Sequence, residues 1–212
     1  IYWKKAKCEH DYFKLLVCMT YFPHIVQGPI GRYDKLMKQF GELPGFSYER
    51  VCFGCQRMLW GLFKKMVVAD RLALFTGAVF AAPAQFAGFE IFLAALLCTV
   101  ELYADFSGCM DIVIGAAETI GVTLDENFRR PFFSKSAAEF WRRWHITLGT
   151  WFKDYVYMPI AMSPRFMKKS VNIRKKRGNR AGQIFSSAIP LAVVWLLTGL
   201  WHGTGADYVA WG

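Results

Sequence analysis

The sequence predicts an all-α, polytopic integral membrane protein, and three observations lead to that fold class. Of the 212 residues, 54% are hydrophobic and 20% are charged, whereas soluble domains carry roughly 45–50% apolar and about 25% charged residues. Residues 184–201 contain no charged side chain over 18 positions, which meets the lower limit of about 17–25 residues for a spanning helix. Interrupted apolar stretches recur earlier in the chain, so further spanning, broken and interfacial helices are expected.

The candidate membrane segments differ in their content of ionisable residues. In chain order they are residues 12–31, 59–82, 86–104, 106–124 and 184–201. The ionisable residues inside them include Lys64, Lys65, Asp70, Arg71, Glu90, Glu101, Asp111 and Glu118. Such side chains are costly in a membrane and usually face a protein interior or a water-filled cavity. Several segments are therefore expected to be broken, re-entrant or buried in protein.

Residues 134–160 predict a long amphipathic helix. Ser136 followed by Glu139 is the signature of a capping box at a helix start, and Pro159 predicts its end. The residues spaced for one helix face are Trp141, Trp144, His145, Leu148, Phe152 and Tyr155. Because Trp and Tyr favour the membrane interface, this helix is expected to lie in or near it. The two prolines and two glycines of residues 22–33 predict irregular backbone instead.

The net charge of +10 is concentrated in residues 165–180, which hold eight Lys and Arg residues and no acidic residue. A basic run of this kind could bind nucleic acid. Beside a spanning segment, however, a Lys/Arg-rich loop marks the cytoplasmic side. The prediction is a cytoplasmic loop at 165–180 in a multi-pass protein of the cell membrane, with the lipid bilayer and not nucleic acid as its partner.

No metal site and no tightly bound cofactor are predicted. Of the six cysteines, only Cys52 and Cys55 have the spacing of a ligand pair, and no second pair at zinc-site spacing accompanies them. Cys98 and Cys109 lie in apolar stretches, where a thiol behaves as a small hydrophobe. The sequence also lacks the serine-hydrolase elbow, the Walker A motif and the H-E-x-x-H motif.

Two of the four histidines are candidates for acid–base chemistry. His10 lies among charged residues and His24 in the Pro/Gly-rich passage, but His145 and His202 each follow a Trp next to an apolar segment. Imidazole titrates near pH 6.5, so a buried neutral ring can take a proton from a substrate hydroxyl. The alternative for either residue is a hydrogen-bonded structural role. The glycines around His202 would let backbone or a ligand chain approach it closely.

The depth of His202 follows from counting residues. From Ala188 to Trp201 the chain has 14 residues, which rise about 21 Å as a helix. If the basic run is cytoplasmic, His202 is expected well inside a hydrocarbon core of about 30 Å.

Five sequence motifs follow one another along most of the chain. They are F-P-H-I-V-Q-G-P-I-G-R-Y (22–33), E-L-Y-A-D-F-S-G-C-M-D-I-V-I-G (101–115), N-F-R-R-P-F (127–132), F-W-R-R-W-H-I-T-L-G-T-W-F-K-D-Y-V-Y-M-P-I (140–160) and L-T-G-L-W-H-G (197–203). On these stretches the chain resembles the membrane-bound O-acyltransferases. The bacterial branch with alginate O-acetyltransferases and the D-alanyl transfer protein for teichoic acids is the most similar.

The resemblance implies O-acyl transfer on a polytopic helical scaffold with a tunnel through the membrane. It implies that His202 is the catalytic histidine and His145 a second functional position, which binds a substrate or relays a proton. His202 would act as general base while an acceptor hydroxyl attacks an acyl thioester, carried by coenzyme A or by an acyl carrier protein. Acetyl is the first expectation for the acyl group. Since the family's proteins continue at both ends, residues 1–212 are expected to be an internal fragment of one membrane domain.

Several expectations remain open at this level. Trp144, Trp201, Asp105 and Ser107 are candidate substrate-binding residues, although Asp105 and Ser107 could instead cap helices at a break. Alginate, another exopolysaccharide, peptidoglycan and teichoic acid are all possible acceptors, and the family implies partner proteins that deliver or receive the acyl group. The alternative function is a transport conduit without chemistry of its own, for which the intramembrane carboxylates would form a polar path.

Overall fold

The computed structural model describes residues 8–25 and 27–212, and the regular secondary structure of these residues is helical. Their one strand-like feature is an isolated antiparallel bridge between Phe128 and Trp144. The all-α prediction is therefore confirmed. The chain divides into two compact units, with the boundary between Thr147 and Leu148. Val26, which belongs to the first of the five stretches, lies outside the described residues.

The first unit contains α1 to α7 and three helical segments of two other types. The α-helices are α1 (Tyr12–Thr20), α2 (Phe22–Ile25), α3 (Tyr33–Gly41), α4 (Tyr48–Leu62), α5 (Asp70–Ala81), α6 (Gly88–Thr119) and α7 (Ala137–Arg143). A π-helical segment, Phe63–Ala69, joins α4 to α5, and short 3₁₀ turns lie at Pro83–Gln85 and Pro131–Phe133. The stretch predicted as a candidate span at 12–31 is thus two short helices followed by irregular backbone.

The prediction of two separate segments at 86–104 and 106–124 is wrong. Helix α6 runs without a break from Gly88 to Thr119, 32 residues that rise about 48 Å. Asp105 and Ser107 therefore lie in mid-helix and do not cap a helix at a break. The candidate at 59–82 is likewise part of a longer helical run, formed by α4, the π segment and α5.

Two glycine pairs bring α4 and its π extension close to α6. A Cβ on Gly61 would lie 2.5 Å from the carbonyl oxygen of Gly108, and a Cβ on Gly108 would lie 2.8 Å from that of Gly61. Gly54 and Gly115 form a second pair, with both equivalent distances 2.6 Å. No side chain fits at these contacts, so the small residues set the helix separation, as in membrane helix pairs.

A buried apolar cluster joins α3 to the C-terminal half of α6. Its central side chains are Leu36, Met110, Ile114 and Val122, each 2% exposed or less. Residues of this kind contribute roughly 1.5–3 kcal/mol each when fully buried. The cluster fixes the end of α6 from which residues 120–136 lead to α7.

The second unit contains α8 to α12, of which α8 begins just before the unit boundary. Its elements are α8 (Ile146–Phe152), a π segment (Lys153–Tyr157), α9 (Met158–Ala161), α10 (Pro164–Arg177), α11 (Asn179–His202) and α12 (Ala206–Trp211). The loop predicted at 165–180 is wrong as a structure, because α10 covers most of it. The Ser163 hydroxyl caps α10 at its start, and Gly178 ends it with φ 88°. Its cytoplasmic location stays a prediction.

Helix α11 is long and apolar enough to cross a membrane, and among the described residues it alone meets that test by length and composition. It extends five residues further towards the N-terminus than the uncharged stretch 184–201 and one residue beyond it, to His202. Pro190 lies inside the helix and is buried. The predicted span at 184–201 is confirmed as a helix, and the multi-pass arrangement stays a prediction.

Candidate active site

His145 lies at a break between two helices and not on a continuous helix face. The Ser136 hydroxyl accepts a hydrogen bond from the Glu139 N–H (3.2 Å), which confirms the predicted helix start. Helix α7 ends at Arg143, Trp144 is extended, and His145 has φ 46°, in the left-handed region. Such a backbone costs an L-residue about 1–2 kcal/mol.

The single helix predicted over 134–160, and its aromatic face, are therefore wrong. The face is interrupted at Trp144 and His145, where the backbone changes direction. Pro159 does not end a helix either, since it lies in the first turn of α9.

A short pairing of two chain segments holds the break in place. The Arg129 N–H donates to the Arg143 carbonyl, and the Ile146 N–H donates to the Asn127 carbonyl, both at 3.0 Å. The Phe128–Trp144 bridge lies between these bonds. The backbone groups at the break would otherwise lack partners, so this pairing offsets the strain at His145.

Asn127 sets the orientation of the His145 ring. Its side chain is 1% exposed, and its Oδ1 accepts from the Thr147 N–H at 3.0 Å and the Thr147 hydroxyl at 2.9 Å. His145 Nδ1 lies 3.2 Å from the same oxygen. Because Oδ1 only accepts, Nδ1 must carry the proton, and in the neutral ring Nε2 then keeps its lone pair.

A cluster of aromatic rings adjoins this histidine through Phe106. The His145 ring meets the Phe106 ring edge-on at 4.8 Å between centroids. Trp144 stacks on Phe140 at 5.5 Å and 17°, and its ring meets that of Phe128 at 5.0 Å. Trp144, predicted to bind substrate, thus packs against Phe140 and Phe128 within this cluster.

His202 occupies a simpler setting at the C-terminal end of α11. Its ring lies between those of Trp201 and Trp211, with centroid distances of 4.9 and 5.0 Å. Within the described residues its imidazole makes no hydrogen bond. The Trp201 side chain is 57% exposed, which is compatible with the substrate contact predicted for it.

The glycines near His202 bring α12 back against α11. A Cβ on Gly199 would lie 2.3 Å from the Tyr208 carbonyl oxygen, and one on Gly203 would lie 2.3 Å from the Tyr208 ring. The glycines were predicted to let either backbone or a ligand chain approach closely, and the structure shows the close approach of backbone. Trp211 reaches the His202 ring by this route.

The measured length of α11 changes the expected depth of His202. The helix has 24 residues and so rises about 36 Å, more than a hydrocarbon core of about 30 Å. If α11 starts at one membrane surface, its length places His202 near the opposite boundary and not well inside the core, as the shorter stretch predicted. The earlier count began at Ala188 and left out the first nine residues of the helix.

Asp105 and Ser107, predicted to bind substrate, contact lysines of the π segment. Lys65 Nζ lies 2.7 Å from Asp105 Oδ1, and Lys64 Nζ donates to the buried Ser107 hydroxyl at 2.9 Å. Lys64 also pairs with Asp111 at 2.6 Å. These contacts link α6 to the π segment and give the Asp105 and Ser107 side chains a structural role.

The carboxylates that would form a polar conduit also have partners. Asp111 pairs with Arg57 at 2.9 Å, and Glu101 accepts from the Thr76 hydroxyl at 2.5 Å. Glu118 lies 4.0 Å from Arg50, and Glu90 accepts from the Ala87 N–H at the start of α6. Each of the four carboxylates thus has a hydrogen-bond or ion-pair partner in the protein, and these contacts account for them without a conduit.

Sequence reasoning missed Asn127, although it begins the quoted stretch N-F-R-R-P-F. It lies 18 positions before His145, too far for a helical or strand period to connect them. A buried asparagine with three donors on one oxygen is visible only after folding.

Comparison with known proteins identifies the chain's relatives. The family model described as "MBOAT, membrane-bound O-acyltransferase family" matches residues 6–173. A "Probable alginate O-acetylase" of Pseudomonas aeruginosa is 35% identical over 212 residues, which cover 100% of this chain and 37% of that protein.

Two further relatives have other names. A "Peptidoglycan O-acetyltransferase" of Helicobacter pylori is 31% identical over 196 residues, covering 92% of this chain and 34% of that protein. A "Teichoic acid D-alanyltransferase" of Bacillus subtilis is 28% identical over 207 residues, covering 94% and 48%. The chain thus spans between about a third and a half of the length of these relatives.

Proposed function

The chain belongs to the membrane-bound O-acyltransferase family, and on this basis we propose that the full-length protein is an O-acyltransferase of the cell membrane. It transfers an acyl group, with acetyl as the first choice, to hydroxyl groups of an extracytoplasmic polysaccharide or cell-envelope acceptor. The observation that carries the proposal is the 35% identity to the P. aeruginosa protein over the whole chain. Relatives named for alginate, peptidoglycan and teichoic acid support this acceptor class.

In the proposed reaction His202 is the general base. The acceptor oxygen attacks the carbonyl carbon of an acyl thioester while the His202 imidazole takes the hydroxyl proton. The C–S bond then breaks, and the thiolate leaves with that proton. A position at the end of α11, beside the exposed Trp201, supports this role because a substrate can reach the ring. Positioned base catalysis contributes roughly 10²–10⁴ in rate.

His145 has the complementary role of orienting a substrate group. With Nδ1 donating to Asn127, its Nε2 lone pair accepts a hydrogen bond or a proton from a hydroxyl or N–H. The strained backbone and the ring contact with Phe106 support a fixed direction for that lone pair. Preorganised polar groups of this kind lower the cost of reaching the reactive geometry.

The donor and the partners follow from the same proposal. A thioester of coenzyme A or of an acyl carrier protein supplies the acyl group on the cytoplasmic side, and partner proteins deliver or receive it. Four basic residues in the last turn of α10 support a cytoplasmic location of that helix. The adjoining α11 then carries His202 towards the other side of the membrane.

A histidine substitution in the full-length protein tests the proposal. His202→Ala is expected to lower acyl incorporation into the acceptor polymer at least about 100-fold, measured with labelled donor in membranes that contain equal amounts of inserted protein. The matched control, His10→Ala, removes an exposed histidine and should leave the rate unchanged. Acylation at the wild-type rate in the His202→Ala variant would refute His202 as the general base and, with it, the proposed mechanism.

A further inference from the structure

Four arginines converge on one cleft in the first unit. The cleft has a volume of about 670 Å³. Its lining is Tyr103, Glu126, Phe128, Arg129, Arg130, Arg142 and Arg143; we call it the arginine cleft. The pairing of segment 127–129 with segment 143–146 brings the two arginine pairs together, although 12 positions or more separate them in the sequence.

Two of the cleft's charged residues are already neutralised by neighbours. Glu126 accepts both guanidinium N–H groups of Arg57 at 2.7 Å. Arg143 pairs with Glu139 on α7 and donates to the Arg130 carbonyl. The Lys135 backbone N–H, followed by the charges of Arg143 and Arg142, holds the pKa of the Glu139 carboxyl below its usual value.

The other three arginines form no ion pair with any residue that the structure describes. In the part of the chain that the structure describes, no carboxylate oxygen lies within 4.0 Å of the guanidinium of Arg129, Arg130 or Arg142. All three side chains are exposed. Arg130 also has φ 48°, so a strained residue places one of the three cations. Like charges gathered in a concave site repel one another and raise the local concentration of anions.

The arrangement matches a phosphate ester better than a single carboxylate. Guanidinium groups bind phosphate oxygens through two parallel N–H bonds, and several of them can surround a compact anion with two or more charges. Tyr103 and Phe128 give the same cleft an apolar wall. A ligand with a phosphate at one end and an organic chain at the other fits both features.

We propose that the arginine cleft binds the phosphate of the acyl donor, a phosphopantetheine thioester; this assignment rests on the proposed acyl transfer. The cleft adjoins the surroundings of His145 through two ring contacts. Phe128 in the cleft wall contacts Phe106 at 5.0 Å, and Phe106 contacts the His145 ring at 4.8 Å. A donor held by its phosphate therefore lies beside the aromatic cluster that contacts the His145 ring.

Binding of 4′-phosphopantetheine and of pantetheine to the full-length protein in phosphatidylcholine nanodiscs tests the proposal. The two probes differ only in the phosphate, and calorimetry measures their affinities. 4′-Phosphopantetheine is expected to bind at least about tenfold more tightly, since charged hydrogen bonds are the stronger kind. The double variant Arg129→Gln/Arg142→Gln should lose that preference. Its matched control, Arg174→Gln/Lys175→Gln in α10, should keep it.

Both substituted arginines are exposed, so the variant should fold; equal thermal midpoints check this. Equal affinities for the two probes, or a preference that survives in the double variant, overturn the proposal. A lipid headgroup is the other source of phosphate. If the double variant loses co-purifying phosphatidylglycerol but keeps its preference for 4′-phosphopantetheine, the cleft binds lipid and the donor assignment is overturned.

The result of this binding experiment can be distinguished from the result of the acyl-transfer test. The His202→Ala variant should bind 4′-phosphopantetheine with unchanged affinity, because α11 does not line the cleft. Binding without acylation in the wild-type protein would refute the proposed function and leave the phosphate site standing.

Discussion

His145 and His202 each follow a tryptophan, but the structure holds them in opposite ways. His145 has a strained backbone, a hydrogen bond to the buried Asn127 and a ring contact from α6. His202 ends a regular helix and is held by two tryptophan rings, one of them its chain neighbour. This difference shows that the Trp-His sequence shared by the two sites does not predict how firmly the histidine ring is held in one orientation. The fold stabilises the direction of His145 and leaves His202 to local packing.

The largest expected effect breaks the orientation of His145. Asn127→Ala removes the acceptor shared by His145 and both Thr147 donors. Leaving these buried groups without a partner should lower the free energy of unfolding by about 2–4 kcal/mol. Thermal unfolding of the full-length protein in detergent measures the change, and acyl transfer should fall as well.

The control for that experiment is Asn179→Ala, which alters an exposed asparagine at the start of α11. It should change stability by no more than about 0.5 kcal/mol. If Asn127→Ala unfolds at the same temperature as the control, then tertiary contacts through Asn127 do not hold His145 more firmly than His202 is held.

A smaller effect is expected at the packing that supports His202. Gly199→Ala places a methyl group 2.3 Å from the Tyr208 carbonyl oxygen, which must push α12 away from α11. Overpacking of this kind costs about 1–3 kcal/mol. The measurement is again the unfolding midpoint, together with accessibility of a cysteine placed at 211, which should increase.

Gly77→Ala is the matched control, since no described atom beyond its chain neighbours and the nearby backbone of α5 lies within 4 Å of its Cβ position. Alanine there should stabilise the helix by up to about 1 kcal/mol. Opposite signs for the two glycine substitutions are expected. A stabilising Gly199→Ala would mean that α12 does not pack against α11.

The smallest effect gives the sharpest comparison, because its sign differs between the two sites. At position 145, with φ 46°, glycine is expected to be more stable than alanine by about 1 kcal/mol. At position 202, in the last turn of α11, glycine should be less stable than alanine by up to about 1 kcal/mol. Unfolding midpoints of the four single variants measure both differences. The same sign at both positions would contradict the strained backbone assigned to His145.

Much of the fold follows from short-range patterns. The uncharged run 184–201 predicted α11, and the Ser136–Glu139 spacing predicted the start of α7. Short-range patterns do not predict the structure correctly where a segment's contact partner lies far away in the sequence. Residues 86–104 and 106–124 were predicted as two segments with a break at Asp105, yet α6 continues through Asp105, whose carboxylate pairs with Lys65 on the π segment. The basic run at 165–180 was predicted as a loop from its charge, but charge alone does not exclude a helix, and Ser163 and Gly178 cap helix α10 at its two ends.

The sequence by itself determined the all-α class, the α11 helix and, through five ordered motifs, membership of the family. These features depend on composition, on residue periodicity and on the order of motifs along the chain. All three can be determined without knowing which residues are in contact. Only the tertiary structure decided that the helix breaks at His145, that Asn127 orients the ring and that unpaired arginines share a cleft. Each of these needs contacts between segments far apart in the chain. Such contacts form when backbone groups and charges find partners after folding, and no short-range pattern encodes them.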